Sequence, residues 1–218
     1  HHLPLKIYQS TTVYRYESKM TKPLMRGREF YWIEAHTAQT DWDSAEKQTR
    51  EDEEIFAKVA IEFLGIPYAF LKRPDWDKFP GADNSYAFET VLPDGKLIQI
   101  GTTHNLGEKF AKVFDIKYTD EKGKKKFVST TSFGIGISRI LAALVSLHGD
   151  DRGLVFHPAI APIQIVIVPI YTKETKSKVL EKCGELLGGL EKEFRVFLDD
   201  REQYTPGFKF HEWELKAI

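Results

Sequence analysis

The segment REFYWIEAH (28–36) puts unusual residues on one face of a strand. With a two-residue period, Phe30, Trp32, Glu34 and His36 point one way and Tyr31, Ile33 and Ala35 the other. A half-buried strand ordinarily turns a plain apolar stripe inward, so a face of two aromatics, an acid and an imidazole is equipped to hold something. Upstream, VYRYE sets Arg15 and Glu17 two apart on a strand of their own. If the two faces align, one surface collects a guanidinium, two carboxylates, two aromatics and an imidazole. An arginine fixed on a sheet clamps phosphate in two-pronged fashion. A phenylalanine beside it stacks on a flat base, and a glutamate accepts from an exocyclic or secondary amine. The set suits a nucleotide together with a small amine-bearing ligand. A second arginine stands in SFGIGISRI. There glycines 134 and 136 let the backbone approach a ligand, and Arg139 projects from the first turn of a helix, near its positive end. That glycine-arginine spacing is weak by itself and gains weight beside the R-x-E strand and a basic loop.

The elements that must position these groups follow from periodicity and turn chemistry. KIYQSTTVYRYE (6–17) and REFYWIEAHTA (28–38) read as an antiparallel pair. The loop between them is broken by Pro23 and Gly27 and carries Lys19, Lys22 and Arg26. A helix capped by Asp43 or Ser44 runs to about Leu64. Ile55, Val59 and Phe63 form its stripe, with Phe56, Ala60 and Leu64 beside them, and Gly65 and Pro67 end it. SYAFETVL (85–92) and KLIQIGTTH (96–104) are strands joined by the turn PDGK, and 106–114 is a short helix. The charged stretch 120–127 is a solvated hairpin tip. Strand 127–137 runs into a strong helix over 138–148, which Gly149 ends. From HPAIAP onward the pattern changes to β-α-β. The near-continuous apolar run IQIVIVPI is followed by a helix with Val179, Leu180, Cys183, Leu186 and Leu187 inward, then by FRVFLDD. The domain boundary is expected near 160. Both ends of the chain break off abruptly, FHEWELKAI without a closing element, which points to a piece of a longer protein.

Composition narrows the classes. The 218 residues carry 31 basic and 32 acidic side chains, a formal net charge of -1, so bulk charge gives no argument for nucleic acid and any such surface must be local. The single cysteine, Cys183, excludes an internal disulfide framework and a cysteine zinc cluster, and makes a reducing, cytoplasmic setting the default. No apolar run approaches the roughly 18 residues of a membrane span.

VYRYE followed by RGREFYWIEAH resembles motif 2 of the class II aminoacyl-tRNA synthetases, and GIGISRI resembles their motif 3. Within that family the chain is similar to prolyl-tRNA synthetases of the archaeal/eukaryote-like type. The likeness continues at TKPLMRGREFYWIEAHTA, WDKFPGAD, LIQIGTTHNLGEKF, HGDDRGLVFHPAIAPIQIVIVP and DDREQYTPGFKFHEWELK. GIGISR departs from the archaeal pattern toward the bacterial one. The resemblance implies an α/β fold: an antiparallel synthetase sheet flanked by helices over 1–160, then the first part of an anticodon-binding domain over 161–218.

It also implies roles. Arg15 would hold the α-phosphate of ATP beside the amino-acid carboxylate, and Glu17 the adenine amino group. Arg26 would reach the far phosphates, and Phe30 would stack on adenine. Trp32, Glu34 and His36 would wall a proline pocket opposite Phe79 and His104. Gln99 and Thr102 would touch ATP and its magnesium, and Arg139, with Ser138 beside it, the γ-phosphate and adenine. The implied activity is ATP-dependent activation of L-proline and transfer to tRNA(Pro), with mischarging by alanine plausible because pocket size discriminates weakly between small residues. The family's full-length chains are homodimers. Motif 1, which forms much of that interface, and the Thr-x-Glu loop that contacts the proline amino group are not visible here.

Plain structural readings stand beside these roles. Arg15 also suits a solvated strand position, His36 and His104 suit hydrogen-bonded structural histidines, Trp32 and Phe79 suit core, and Glu34 suits a structural ion pair. Among function classes, the rivals are a non-catalytic synthetase-like paralogue or fragment that binds tRNA or a partner subunit, and a synthetase for threonine or histidine.

Overall fold

The computed structural model describes residues 2–218. The chain divides into two compact units, His1–Leu147 and His148–Ile218.

The first unit is built on a six-stranded antiparallel sheet in the order β1-β2-β8-β5-β4-β3. The strands are β1 (Leu5–Tyr14), β2 (Glu29–Gln39), β3 (Ala69–Lys72), β4 (Asn84–Val91), β5 (Leu97–Gly107) and β8 (Ser129–Gly136). A small hairpin of β6 (Lys117–Thr119) and β7 (Lys125–Phe127) stands apart from it. The hydroxyls of Thr37 and Thr131 meet across β2 and β8, on the face that α1 (Trp42–Ala57) covers. Phe56 of α1 packs there against Phe88, and Phe88 against Phe133. The other face carries the residues with chemistry. One face is thus sealed by aromatic packing, and the opposite one is left to bind.

Several expectations need correction. β1 ends at Tyr14, not 17. The Arg15 amide still donates to Arg28 O at 2.7 Å, but Arg28 Nε reaches back to Glu17 O and draws that segment off the sheet into the loop. α1 starts two or three residues earlier than expected, because Asp41 is the cap and accepts from Ser44 N at 2.7 Å. Beyond Ala57 the coil widens into a π-helical turn, Lys58–Phe63. The buried stripe is Phe56 and Ala60, each 1% exposed, whereas Ile55 is 56% and Phe63 45% exposed. Two adjacent apolar stripes were available, and contact with the sheet selected one. The short helix α2 covers only Lys109–Val113, and strand β3 was not anticipated. α3 (Ile137–His148) follows β8 directly, as expected.

In the second unit, β9 (Ile165–Ile167), α4 (Lys176–Leu190) and β10 (Val196–Leu198) form the expected β-α-β, with the two strands parallel. Cys183 is buried on α4, but Leu186 points outward. The C-terminal segment does close into an element, α5 (Pro206–Leu215): Thr205 caps it by accepting from Phe208 N, and Pro206 opens its first turn. Asp199 is fully buried and anchors the unit. Its carboxylate accepts from Arg201 Nε at 2.8 Å and Trp213 Nε1 at 2.9 Å, and its carbonyl accepts from Lys209 Nζ at 2.8 Å. The Arg201 guanidinium and the indole N–H hold that carboxyl far below the usual range. No helix among the described residues is long and apolar enough to cross a membrane.

Candidate active site

The pairing register assembles the binding face from five strands. Residues opposite one another in an antiparallel sheet share a face. One row therefore runs Gln9, Glu34, Gly134, Thr102 and Ala87, and the next runs His36, Ser132, His104 and Ser85. Trp32 lies opposite Gly136. Glycine at the centre of the first row leaves a trough. A Cβ on Gly134 would lie 3.7 Å from the Trp32 ring, in ordinary contact, so the chain itself does not exclude a side chain there. The trough does, by needing the space.

At one end the trough opens into a cleft lined by Arg15, Glu17, Arg26, Phe30, Trp32, Gln99, Thr102, Ser138 and Arg139, with Leu24, Met25 and Gly27 from the loop 18–27. All eight residues expected at ATP stand in this lining. The proline-pocket set divides: Trp32 lines the cleft, whereas Glu34, His36, Phe79 and His104 are not part of its lining.

The electrostatics are lopsided. The Arg139 guanidinium is held by two carbonyls, Nε to Met25 O at 2.9 Å and Nη1 to Gln99 O at 2.8 Å. Burial, and then the charges of Arg15 and Arg26, make its protonated form less favourable than usual. Arg15 lies over the Phe30 ring at 4.9 Å and forms no ion pair with the described residues. Arg26 is engaged by Glu17, with Nη2 2.9 Å from its carboxylate. The sequence reading put these two at opposite ends of a nucleotide, but here they meet. Two arginines without a carboxylate, and a third within reach, leave the cleft short of negative charge. The Ser138 hydroxyl accepts from Tyr31 N at 3.1 Å and so fastens the start of α3 to β2. The indole N–H of Trp32 is buried without a partner among the described residues, a donor that ordinarily costs about 1–3 kcal/mol unsatisfied.

Further along the face, Glu34 accepts from Gln9 Nε2 at 3.3 Å and lies 3.3 Å from His36 Nε2. Burial pushes the His104 imidazole down to about 4, so it is neutral at physiological pH. Its ring lies 5.0 Å from that of Phe79. Sequence reasoning missed Gln9 and Ser85. Both lie on the correct parity of their strands, but only pairing to β2 and β5 reveals it.

The family profile described as the tRNA synthetase class II core domain (G, H, P, S and T) matches residues 1–148. The chain belongs to the class II aminoacyl-tRNA synthetases. A second profile, the anticodon binding domain, matches residues 164–218. This synthetase chain is 56% identical over 218 residues to the proline–tRNA ligase of Thermofilum pendens, covering 99% of the chain and 45% of that protein. It is 46% identical over 217 residues to that of Methanocaldococcus jannaschii, covering 99% and 47%. Two solved structures are similar to the chain. The prolyl-tRNA synthetase of Giardia lamblia in complex with prolyl-adenylate superposes with a TM-score of 0.92 at 37% identity, covering 99% of this chain and 45% of that one. That of Cryptosporidium parvum, complexed with L-proline and AMP, gives 0.89 at 35%, covering 99% and 47%. The chain spans about half the length of the relatives it matches.

Proposed function

We propose that this chain carries the adenylation site of a prolyl-tRNA synthetase. On this reading it activates L-proline with ATP to prolyl-adenylate and passes the prolyl group to tRNA(Pro). The observation that carries it is the cleft where Arg15, Arg26 and Arg139 converge with too little negative charge to balance them. It is shaped for an anionic, flat-ended ligand, and ATP is one. The proline and adenylate ligands of the two structural relatives support the same substrate pair.

The chemistry needs no side-chain nucleophile. Proline's carboxylate attacks the α-phosphorus in line, the bond to the bridging oxygen breaks, and pyrophosphate leaves. Arg15 takes the charge that builds on the α-phosphate and also orients the attacking carboxylate. Arg139 does the same toward the γ-phosphate, and its two carbonyl tethers pre-set its position. Phe30 stacks on adenine and Glu17 accepts from its amino group, which requires Arg26 to leave Glu17 for the phosphates. Trp32, Glu34, His36, Phe79 and His104 enclose the ring and amine of proline. Among the described residues no cluster of three or more His, Cys, Asp or Glu is present to hold a metal. Gln99 and Thr102 offer neutral oxygens only, a donor set that fits a magnesium ion carried on the nucleotide's phosphates. Magnesium there neutralises phosphate charge.

Residues 161–218 are read as the beginning of the anticodon-binding domain, residues 1–160 as the catalytic unit, the assembly as a homodimer and the setting as cytoplasmic. The test is amino-acid-dependent ATP–pyrophosphate exchange with proline, alanine, threonine, histidine or none. Exchange driven best by proline is expected. Exchange driven by another amino acid overturns the substrate. No exchange, together with no binding of a non-hydrolysable prolyl-adenylate mimic, overturns adenylation and leaves a binding module.

A further inference from the structure

We infer that Ser85, a residue assigned no part in the site so far, is a positioning residue that fixes His104 as its Nε2–H tautomer and ties the Phe79 wall to the same point. The inference rests on the proposed proline pocket only for its kinetic consequence.

Ser85 is 1% exposed and lies directly opposite His104 across β4 and β5. Its Oγ accepts from the Phe79 amide at 3.1 Å and lies 2.8 Å from His104 Nδ1. The Phe79 N–H can only donate, so one lone pair of Oγ is taken. The hydroxyl proton has one acceptor among the described residues, His104 Nδ1. If Nδ1 carried the proton instead, the serine hydroxyl proton would be buried with nowhere to go, and that arrangement is disfavoured. The satisfied arrangement is Phe79 N–H to Oγ, then Oγ–H to Nδ1, which places the ring proton on Nε2.

Nε2 has no partner among the described residues, and the ring belongs to the row His36, Ser132, His104, Ser85 on the binding face. The face therefore receives a donor from His104, complementary to an acceptor such as a carboxylate oxygen. An ammonium group is left to Glu34. The same hydroxyl sets the distance between the Phe79 backbone and the imidazole, whose rings are 5.0 Å apart and inclined by 35°. One buried oxygen thus controls both the proton pattern and the width of this wall.

Two measurements test this on the full chain. First, nitrogen-15 NMR of the imidazoles, with the His104 signals identified by their loss in His104→Gln, reads the tautomer without reference to activity. An unprotonated, hydrogen-bonded Nδ1 at neutral pH is expected, and a protonated Nδ1 overturns the inference. Second, exchange kinetics compare Ser85→Ala with Ser85→Thr, which keeps the hydroxyl. Ser85→Ala should mix the two tautomers and raise KM for proline about tenfold with a smaller change in kcat and in KM for ATP. Ser85→Thr should restore the wild-type tautomer and most of the KM. Equal loss in both variants, or a wild-type tautomer in Ser85→Ala, overturns it. Absence of proline-dependent exchange in the wild type would refute the pocket assignment while the NMR result still decides the tautomer. If Ser85→Ala does not fold, the wild-type spectrum and Ser85→Thr carry the decision.

Discussion

Replacing Arg139 should cost far more in activity than in stability. Arg139→Ala removes two charge-assisted bonds, to Met25 O and Gln99 O. Each is worth about 1.5–3 kcal/mol, so the gross loss is roughly 3–6 kcal/mol. Two effects oppose it. The folded state no longer desolvates this guanidinium, and Arg15 and Arg26 no longer repel it. The net destabilisation should fall to about 1–3 kcal/mol, or some 2–12 °C in Tm at about 2–4 °C per kcal/mol. For pyrophosphate exchange no such offset exists, because the charge is needed where phosphate charge develops. Loss of one such donor costs about 10²–10³-fold in kcat. Arg139→Lys keeps the charge but presents it as a point and cannot span both carbonyls, so it should recover stability only in part and stay at least about tenfold slow. The assays are calorimetry or thermal melting of each variant without ligand, and exchange at saturating proline and ATP. Exchange within threefold of wild type in Arg139→Ala would refute the electrostatic reasoning. A melt lowered by much more than about 12 °C would mean that the repulsion relief was overestimated and that the activity loss reflects unfolding.

Gly134→Ala should melt within about 1 kcal/mol of wild type, since its added methyl meets Trp32 only at contact distance, yet weaken ATP or proline binding at least about tenfold by filling the trough; unchanged KM values for both substrates would count against the trough as the ligand's place. His104 should make stability fall as acid is added. Its folded value of about 4 lies below the unfolded 6.5, so between these pH values the unfolded chain binds a proton that the folded chain refuses. Stability is complete above about 6.5 and declines by up to about 3 kcal/mol by pH 4, and His104→Gln should flatten that part of a denaturation series. Asp199→Ala should cost the second unit about 3–5 kcal/mol, because Arg201 and Lys209 lose a buried carboxylate. Hydrogen exchange at α5 amides should speed up accordingly, while those of β2 and β5 stay protected.

Local rules go a long way in this chain because much of its architecture is periodic. The parity of 28–36 already puts Trp32, Glu34 and His36 on one face, and a two-residue period needs no partner strand to be true. The β-α-β pattern after 160 and the strand-to-helix junction at Gly136–Ile137 are likewise set by adjacent residues. The eight residues expected to meet ATP were assigned from motif resemblance, and the fold gathers them in one cleft. Other features were hidden for definite reasons. Four-residue β3 is shorter than any reliable alternation, and α5 announces itself only by Thr205 and Pro206.

What the sequence determined by itself is therefore which side chains share an element and a face. What only the tertiary structure decided is which elements become neighbours. β8 inserts between β2 and β5 although some ninety residues of chain separate it from β2, and that order sets Gly134 between Glu34 and Thr102 and Ser132 between His36 and His104. It also chose Phe56 over Ile55 as the buried side of α1. Both choices are made by burial of apolar surface between segments distant in the chain. That energy depends on the whole packed unit and is not written in any local window.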